Sequence, residues 1–420
     1  MTHRITLLML AALFVPGAQA QDQTLTVRDA IDLAIASNPE LAIEKRAADR
    51  ARALRWNALG TTGLELDYTR EGIPDGAAGF GEQKWAAGLT LPFPLHGTYQ
   101  WRAANRLAEA GALGGSAALL DVKAAVKEAY TRLLFAQEMV HLRQQEVDLA
   151  TTLVQVVSAR VEVGESAQVD LLKVELEQSS ATNALRDAEL LFQNSRYTLF
   201  QVIGVDPEEQ RYEIVFPDTL VYRAFDIDQD RVMGALPEHP ASAAARARVA
   251  SNDLSLKGNT WALLPDLYAG WLQQDFGTGY RFHGLEVGLR MGIPGLDSRR
   301  SRLEQARMDA ADSRERAFRM DLDLKREAES AWHGFEATRE AVRSYTTEQN
   351  QRAQNLLQLT REGYQLGQLD LLTVLDAQRV YLDVQRTYYQ QLRDYYLQII
   401  QLERLMGDEL VFASDEEVQP

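Results

Sequence analysis

The side chains that could support metal or nucleophilic chemistry are few in this sequence, and they are scattered. It has six histidines, and their spacing matches no known metal-ligand motif. It has no cysteine, which removes disulfides, thiolate metal sites and a cysteine nucleophile. The nucleophile motif GxSxG, the P-loop and the GxGxxG fingerprint are also missing from the sequence. We therefore expect no enzyme, no metal site and no cofactor.

The composition is that of a folded, acidic protein. Of 420 residues, 46% are hydrophobic and 25% are charged, which is enough apolar side chain for a sizeable core and excludes disorder of the whole chain. Lys and Arg total 44 against 60 Asp and Glu, so the net charge is −16. This charge opposes binding to the phosphate backbone, and we expect no nucleic-acid partner.

The start of the chain has the features of an export signal. His3 and Arg4 precede an apolar stretch from Ile5 to Val15, and Ala18-Gln19-Ala20 fits the small-x-small cleavage pattern. Residues 1–20 are therefore predicted to be a signal peptide. Beyond them the sequence has no apolar run of about 18 residues, so we expect a periplasmic protein, a secreted protein or an outer-membrane β-barrel.

The rest of the sequence contains an internal repeat. Three landmarks recur in the same order at a spacing of about 200 residues, which indicates two copies of one structural unit. They are Asn38-Pro39 with His239-Pro240, Gly88 and Pro94 with Gly288 and Pro294, and Gly164 with Gly367. We predict a first repeat at 21–205, a linker at 206–232, a second repeat at 233–407 and a flexible tail at 408–420.

Each repeat predicts two strands followed by a long helical hairpin. The strand segments alternate apolar with polar or small residues, the period-two pattern of a strand with one apolar face. From about residue 97 to 163 apolar residues then recur in an a/d heptad, and a second breaker-poor stretch covers 298–366. Each stretch ends at a repeated glycine, Gly164 or Gly367, and about 38 further helical residues follow each one. These return helices are predicted to end at Gly204 and Gly407. The fold class is mainly α with a small β part.

Four strands cannot close a membrane barrel, because unpaired backbone groups in lipid cost several kcal/mol each. Three chains would supply twelve strands, an even number that suits an outer-membrane barrel, and their long helices would form a tube of about 100 Å. We therefore expect a homotrimer that contacts outer-membrane lipid through the apolar strand face. The predicted membrane-facing residues are Leu64, Leu66, Tyr68, Trp85, Leu89, Leu91, Phe93, Leu285, Val287 and Leu289.

The sequence resembles the TolC-like outer-membrane factors of tripartite efflux and type I secretion systems. The resemblance lies in DAIDLAIASNPEL, in the paired strands, and in the tip motifs GESAQVDLLKVELE and YQLGQLDLLTVLDAQ. It covers essentially the whole mature chain, and the length is most like that of the heavy-metal efflux branch. It implies an outer-membrane exit duct that works with a periplasmic adaptor and an inner-membrane pump of the RND type.

The resemblance also implies functional positions at the periplasmic tips of the hairpins. The implied adaptor-docking residues are Gly164, Glu165, Ser166, Gly367 and Gln368. The implied gate residues are Asp170, Tyr364, Asp370, Thr373 and Asp376. Thr373 stands where the family has an aspartate, and the arginine of the family's gate network falls on Leu369, so the closing salt link is not reproduced in the sequence.

Other interpretations remain open from the residues alone. The aspartates near the tips could simply stabilise helix starts through the helix dipole. Aromatic residues in the strand segments fit either a membrane-interface girdle or an ordinary core. For the whole protein the alternatives are a duct for type I protein secretion, a periplasmic coiled-coil adaptor and an exported hydrolase. The adaptor should lack the barrel strands, and the hydrolase should carry a nucleophile or metal motif.

Overall fold

The structure is a computed structural model that describes residues 23–57, 64–71, 82–206, 214–276, 279–291 and 298–411. The predicted signal peptide, residues 1–20, lies outside these ranges. So do residues 412–420 of the predicted tail.

Both halves of the chain run through helices, two strands and a pair of long helices in the same order. The first half contains β1 (Gln23–Thr24), α1 (Val27–Ser37), α2 (Pro39–Asn57), β2 (Glu65–Glu71), β3 (Glu82–Leu91), α3 (Pro94–Glu162) and α4 (Gln168–Ile203). The second half contains β4 (Ile214–Val215), α5 (Gln229–Ala235), a 3-10 turn (Leu236–Glu238), α6 (Pro240–Trp261), β5 (Asp266–Asp275), β6 (Arg281–Arg290), α7 (Arg299–Ser344), a π-helical turn (Tyr345–Gln349), α8 (Asn350–Gln365) and α9 (Leu371–Met406). The predicted architecture of two repeats with long hairpins is confirmed.

The heptad pattern of α3 explains its packing. Its seam residues Val126, Leu133 and Val157 are fully buried, and the helix packs against α2, α4, α6 and α9. At 1.5 Å per residue α3 is about 100 Å long. The return helices α4 and α9 end at Gly204 and Gly407, where φ is +86° and +76°. Glycine adopts this left-handed conformation without steric cost, so it ends both helices.

The kink between α1 and α2 is fixed by Asn38. Pro39 cannot donate a backbone hydrogen bond, and the Asn38 side chain instead accepts from the amides of Glu40 and Leu41 at 2.9 and 3.2 Å. Its amide group donates to the carbonyl of Val202 at 2.8 Å, which ties the kink to the end of α4. In the second half His239 performs the same capping role, since its Nδ1 accepts from the amide of Ala241.

The main hydrophobic core joins α1, α3, α4, α7 and α9 and takes in the predicted linker. Phe216, Leu220 and Ile227 of the linker are buried in this core. The hydroxyl oxygen of Tyr130 lies 2.8 Å from the Leu25 carbonyl and 2.7 Å from the Asp218 carboxylate, so its one proton can be donated to either acceptor. The described part of the predicted linker from residue 214 onward is therefore packed into the fold and contains β4, which pairs in parallel with β1. A second, smaller cluster lies near the tips of the hairpins.

The four longer strands form one antiparallel sheet in the order β2-β3-β5-β6. In this register Leu66 lies opposite Ala87, Ala87 opposite Trp271, and Trp271 opposite Leu285. Residues of all four strands therefore share one apolar face. The inner strands β3 and β5 come from different repeats, which leaves β2 and β6 at the outer edges.

Two of the predicted strand assignments are wrong at their ends. Phe93 lies after β3 as the residue preceding α3, because Pro92 and Pro94 flank it and Pro94 suits the first turn of a helix. The irregular apolar alternation of residues 260–276 also predicts a strand, but Trp261 is the last residue of α6. The rings of Phe93 and Trp261 stack at 5.9 Å between centroids, so both belong to the junction between helices and sheet. Leu64 directly precedes β2.

Two further features differ from the sequence-based expectation. The helix predicted over 298–366 is interrupted by the π-helical turn, which adds a residue to the helical repeat and shifts the apolar face. The tail predicted to be flexible from 408 onward is anchored at its start. Val411 is buried, and its carbonyl accepts from the Lys127 ammonium at 3.0 Å.

Candidate functional sites at the helical tips and on the sheet

The two helical tips have the same backbone geometry. At the first tip the amide of Glu165 donates to the carbonyl of Arg160 at 2.8 Å, and that of Gly164 donates to Val161. At the second tip Gln368 and Gly367 repeat this pattern. Such a pair of bonds is a Schellman motif, which needs a left-handed residue, and φ is +78° at Gly164 and +73° at Gly367. Glycine is needed at both tips for its backbone conformation.

The tip side chains are open to solvent. Glu165 and Gln368 are exposed and Ser166 is half-buried. A Cβ at Gly164 would meet no atom within 4 Å, and one at Gly367 would meet only the Arg160 guanidinium, at 3.7 Å. The turns at both tips are therefore accessible to solvent.

The main contact between the tips comes from a residue that the sequence did not single out. Arg160, at the end of α3, donates to the carbonyl of Tyr364 at 2.9 Å, and its guanidinium lies 4.8 Å from the centroid of the Tyr364 ring. It also lies 3.6 Å from the carboxylate of Glu165. Tyr364 is buried in the small cluster with Val157 and Val174. Arg160 thus links the first hairpin to the second.

The predicted gate aspartates differ in their hydrogen-bond and ion-pair partners. Asp370 caps α9, accepting from the amide and the hydroxyl of Thr373 at 2.9 and 2.5 Å, and these hydrogen bonds lower the pKa of its carboxyl. Asp170 is half-buried and accepts from the hydroxyl of Ser166 at 3.3 Å, with Lys173 at 3.5 Å. Both carboxylates have partners within their own turn.

Asp376 is exposed and does not cap a helix. It lies more than a turn into α9, where it no longer caps the helix, and its side chain is 61% exposed. Its ion-pair contact is with Arg379 at 3.7 Å on the same helix, a solvent-exposed pair. Among the described residues no group of three or more histidine and carboxylate side chains could hold a metal ion.

The apolar face of the sheet is exposed over its whole width. Leu285 and Val287 on β6 are 85% and 87% exposed, which is extreme for aliphatic side chains of a folded protein. Leu66, Tyr68, Trp85, Leu91 and Leu289 are also exposed, and Leu89 is half-buried. No helix in the described part of the chain is long and apolar enough to cross a membrane.

The opposite face of the sheet is polar. The Tyr268 ring lies over Gly88 and Gly270, where an added Cβ would come within 2.6 and 2.7 Å of its hydroxyl. The Arg290 guanidinium lies 4.7 Å from the same ring and 3.5 Å from the Glu65 carboxylate. The two faces of the sheet are thus suited to different surroundings, one apolar and one aqueous.

Comparison with known proteins agrees with this geometry. The chain is 24% identical to the cobalt-zinc-cadmium resistance protein CzcC of Cupriavidus metallidurans, over 84% of this chain and 83% of that one. It is 26% identical to the pyoverdine export outer membrane protein OpmQ of Pseudomonas putida, over 66% and 59%.

Solved structures show the same fold. The outer-membrane channel CmeC of Campylobacter jejuni superposes with a TM-score of 0.79 at 15% identity, over 94% of this chain and 90% of that one. The outer membrane protein VceC of Vibrio cholerae also gives 0.79 at 15% identity, over 91% and 96%.

The sequence pattern of one family, the outer membrane efflux proteins, matches residues 30–205 and 234–408, which are most of the two repeats. The predicted family, outer-membrane location and role as an efflux channel are confirmed. The chain belongs to the outer membrane efflux protein family, which is a family of channels, and it forms the outer-membrane exit duct of a tripartite efflux system.

Proposed function

We propose that three copies of this chain close one barrel and one helical tube, and together conduct substrates out of the periplasm. The observation that carries the proposal is the four-stranded antiparallel sheet with one exposed apolar face and two outer edges, on β2 and β6. Exposed edges in lipid are costly, and pairing β6 of one copy with β2 of the next would remove all of them. Three copies supply about twelve strands, a size seen in outer-membrane barrels.

The polar face of the sheet would then line the lumen, and the apolar face would contact outer-membrane lipid. The α3–α4 hairpin and its counterpart in the second half extend from the same end of the sheet, so the barrel continues into a tube of about 100 Å. Native mass measurement in mild detergent should give three chains per particle, and the particle should conduct ions in a planar bilayer. A stable monomer that retains its full β content would contradict the proposal.

The tips form the periplasmic entrance of the proposed duct, with Asp170, Tyr364, Asp370, Thr373 and Asp376 around it. Three copies of an exposed carboxylate would repel one another, by about 1 kcal/mol per pair at a separation of 4 Å in water. Bound cations relieve this repulsion, so the entrance would attract cations. Asp376 is the better residue for a test, because Asp370 also caps α9 and its replacement would disturb the start of that helix. Asp376→Ala should weaken cation selectivity and block by multivalent cations in single-channel recordings. Unchanged selectivity would exclude Asp376 from the entrance.

The same tips are proposed to dock a periplasmic adaptor. Their Schellman turns expose Gly164, Glu165 and Ser166 on one hairpin and Gly367 and Gln368 on the other. A groove of about 640 Å³ between α3, α8 and α9 lies beside them. Gly164→Val together with Gly367→Val should abolish efflux complementation, while the trimer still forms because the sheet lies about 100 Å away. Wild-type resistance in the double variant would remove the docking assignment.

The proposed inner-membrane partner is a pump of the RND type, and the proposed cargo is divalent metal cations. The support for this cargo is the similarity to CzcC, a cobalt-zinc-cadmium resistance protein, over most of both chains. Replacement of CzcC by this chain in a host that depends on it should restore growth in zinc and cadmium. Restoration of drug resistance alone, in a host lacking its drug-efflux channel, would instead assign an organic cargo.

A further inference from the structure

An apolar groove lies where the sheet meets the start of α3. Its volume is about 490 Å³, in the range of small-molecule sites, and it is lined by Leu91, Pro92, Pro94, Gly97, Thr98, Trp101, Arg102 and Leu267. Leu91 and Leu267 lie opposite each other on β3 and β5, on the apolar face of the sheet. The groove therefore continues the exposed apolar face onto the first turns of the helix.

A single cation stands at the helical end of this groove. Gly97, Thr98, Trp101 and Arg102 recur at a spacing of three to four residues, so they lie on one side of α3. Trp101 is 44% exposed and lines the groove with its ring. In the part of the chain that the structure describes, Arg102 has no ion-pair partner, whereas Arg106 is paired with Glu109 at 2.7 Å.

The position of the groove in the sheet keeps it open in an assembled barrel. It lies on the inner strands β3 and β5, and neighbouring copies would pair with the outer strands β2 and β6. The helices extend into the periplasm, so the groove falls at the level of the periplasmic leaflet. Tryptophan and arginine side chains are typical of this boundary, where one end of a site is apolar and the other meets head groups.

We propose that this groove binds an anionic phospholipid of the periplasmic leaflet. One acyl chain lies along Leu91, Leu267 and Trp101, and the phosphate is bound by the Arg102 guanidinium. Two observations support this occupant: the groove is continuous with the membrane-facing sheet, and its one charge is complementary to a phosphate. The inference rests on the proposed trimeric duct, and it adds a lipid site to each of the three copies.

The test is lipid retention by the purified, delipidated trimer, measured by native mass spectrometry. The trimer is offered equal amounts of phosphatidylglycerol and phosphatidylcholine with the same acyl chains. The wild type should retain up to three lipids and favour phosphatidylglycerol by about fivefold, the effect of one basic residue near an anionic lipid. Arg102→Gln should bring the ratio close to one, and Trp101→Ala should reduce retention of both lipids.

The matched control is Arg106→Gln, which removes a charge one turn further along the same exposed helix and should leave the ratio unchanged. An equal loss of preference in both arginine variants, or a wild-type preference that survives Arg102→Gln, would overturn the site. The same spectra report the trimer mass, and bilayer recordings report conduction. A conducting trimer without lipid preference refutes this inference alone, whereas a chain that does not trimerise refutes the proposed duct.

Discussion

The contact of Arg160 with Tyr364 allows a quantitative prediction of how strongly the two hairpins are held together at their tips. Any opening of the entrance that separates the two hairpins must break this contact, because Arg160 belongs to the first hairpin and Tyr364 to the second. Replacing Arg160 with alanine should therefore favour the separated arrangement. The effect is expected to be large, since the Arg160 side chain is 23% exposed and its partner is buried.

The magnitude follows from the three parts of the contact. A hydrogen bond from a charged donor contributes about 1.5 to 3 kcal/mol, and a partly exposed cation–π contact contributes about 0.5 to 1 kcal/mol. The ion pair of Arg160 with Glu165 lies within the first hairpin and persists when the two hairpins separate, so it does not contribute to the preference for the joined arrangement. Ordering the long Arg160 side chain costs about 1 to 2 kcal/mol. The midpoints of these ranges give a net preference for the joined hairpins of about 1.5 kcal/mol, and a value of about 1 to 2 kcal/mol is equivalent to about a 5- to 30-fold change in the equilibrium.

Single-channel recording of the purified trimer measures this equilibrium as the fraction of time spent at high conductance. Arg160→Ala should raise the ratio of open to closed time by about 5- to 30-fold. Arg160→Lys should have an intermediate effect, because lysine retains the charge and loses the planar group that stacks on the ring. Arg186→Ala is the control, since Arg186 is exposed and its hydrogen bond is to Asn183 on its own helix. An intact Arg160→Ala trimer with wild-type gating would refute the reasoning.

Two further predictions concern stability, each measured by thermal unfolding of the trimer. Burial lowers the pKa of His239 below its usual 6.5, so the unfolded chain binds the proton more readily, and stability is full above about pH 6.5 and falls as the pH drops toward the folded pKa. His239→Asn, which installs the capping residue found at Asn38, should make the loss of stability below about pH 6.5 smaller than in the wild type, and an unchanged slope would contradict the prediction. Gly204→Ala should cost clearly more than the roughly 1 to 2 kcal/mol of left-handed strain expected for Gly407→Ala, because a Cβ at Gly204 comes within 2.9 Å of the Ser37 carbonyl, whereas one at Gly407 meets nothing within 4 Å. Equal losses of stability in the two variants would show that the backbone near Ser37 shifts to accommodate the added Cβ.

Much of the fold could be predicted because it depends on local periodicity. The heptad in α3 and the glycines at 164, 204, 367 and 407 are short-range signals, and they predicted both hairpins and their ends. The π-helical turn at Tyr345–Gln349 was missed because one added residue leaves no composition signal. The predicted strand was extended to Phe93 because the alternation of apolar residues continues through Pro92. Alternation takes no account of backbone hydrogen bonding, and proline has no backbone N–H to donate to a neighbouring strand.

The tip site could be predicted only in part. Family resemblance supplied positions within each tip motif, and Asp370 proved to be the cap of α9. Arg160 was missed because its partner Tyr364 is 204 residues away, and only the packing of the two hairpins brings them together. Alternation predicted a polar face of the sheet, but not the contacts on it. Arg290 on β6 reaches Tyr268 on the neighbouring strand β5 and Glu65 on β2 of the other repeat, and only the folded sheet brings these residues together.

The central claim is that β2 of one copy pairs with β6 of the next, and disulfide trapping tests it most directly. The chain has no cysteine of its own, so every cross-link must come from the introduced pair. A cysteine at Leu66 on β2 would be combined with one at Leu285, Val287 or Leu289, which lie on the same face of β6.

Within one chain these positions are three strand spacings apart, about 14 Å, and a disulfide requires Cα atoms within about 7 Å. Any bond must therefore join two copies. We predict that at least one pair gives a covalent trimer on a non-reducing gel after outer-membrane insertion, while each single cysteine variant does not. Monomers for all three pairs, in protein that has reached the membrane, would contradict the shared barrel.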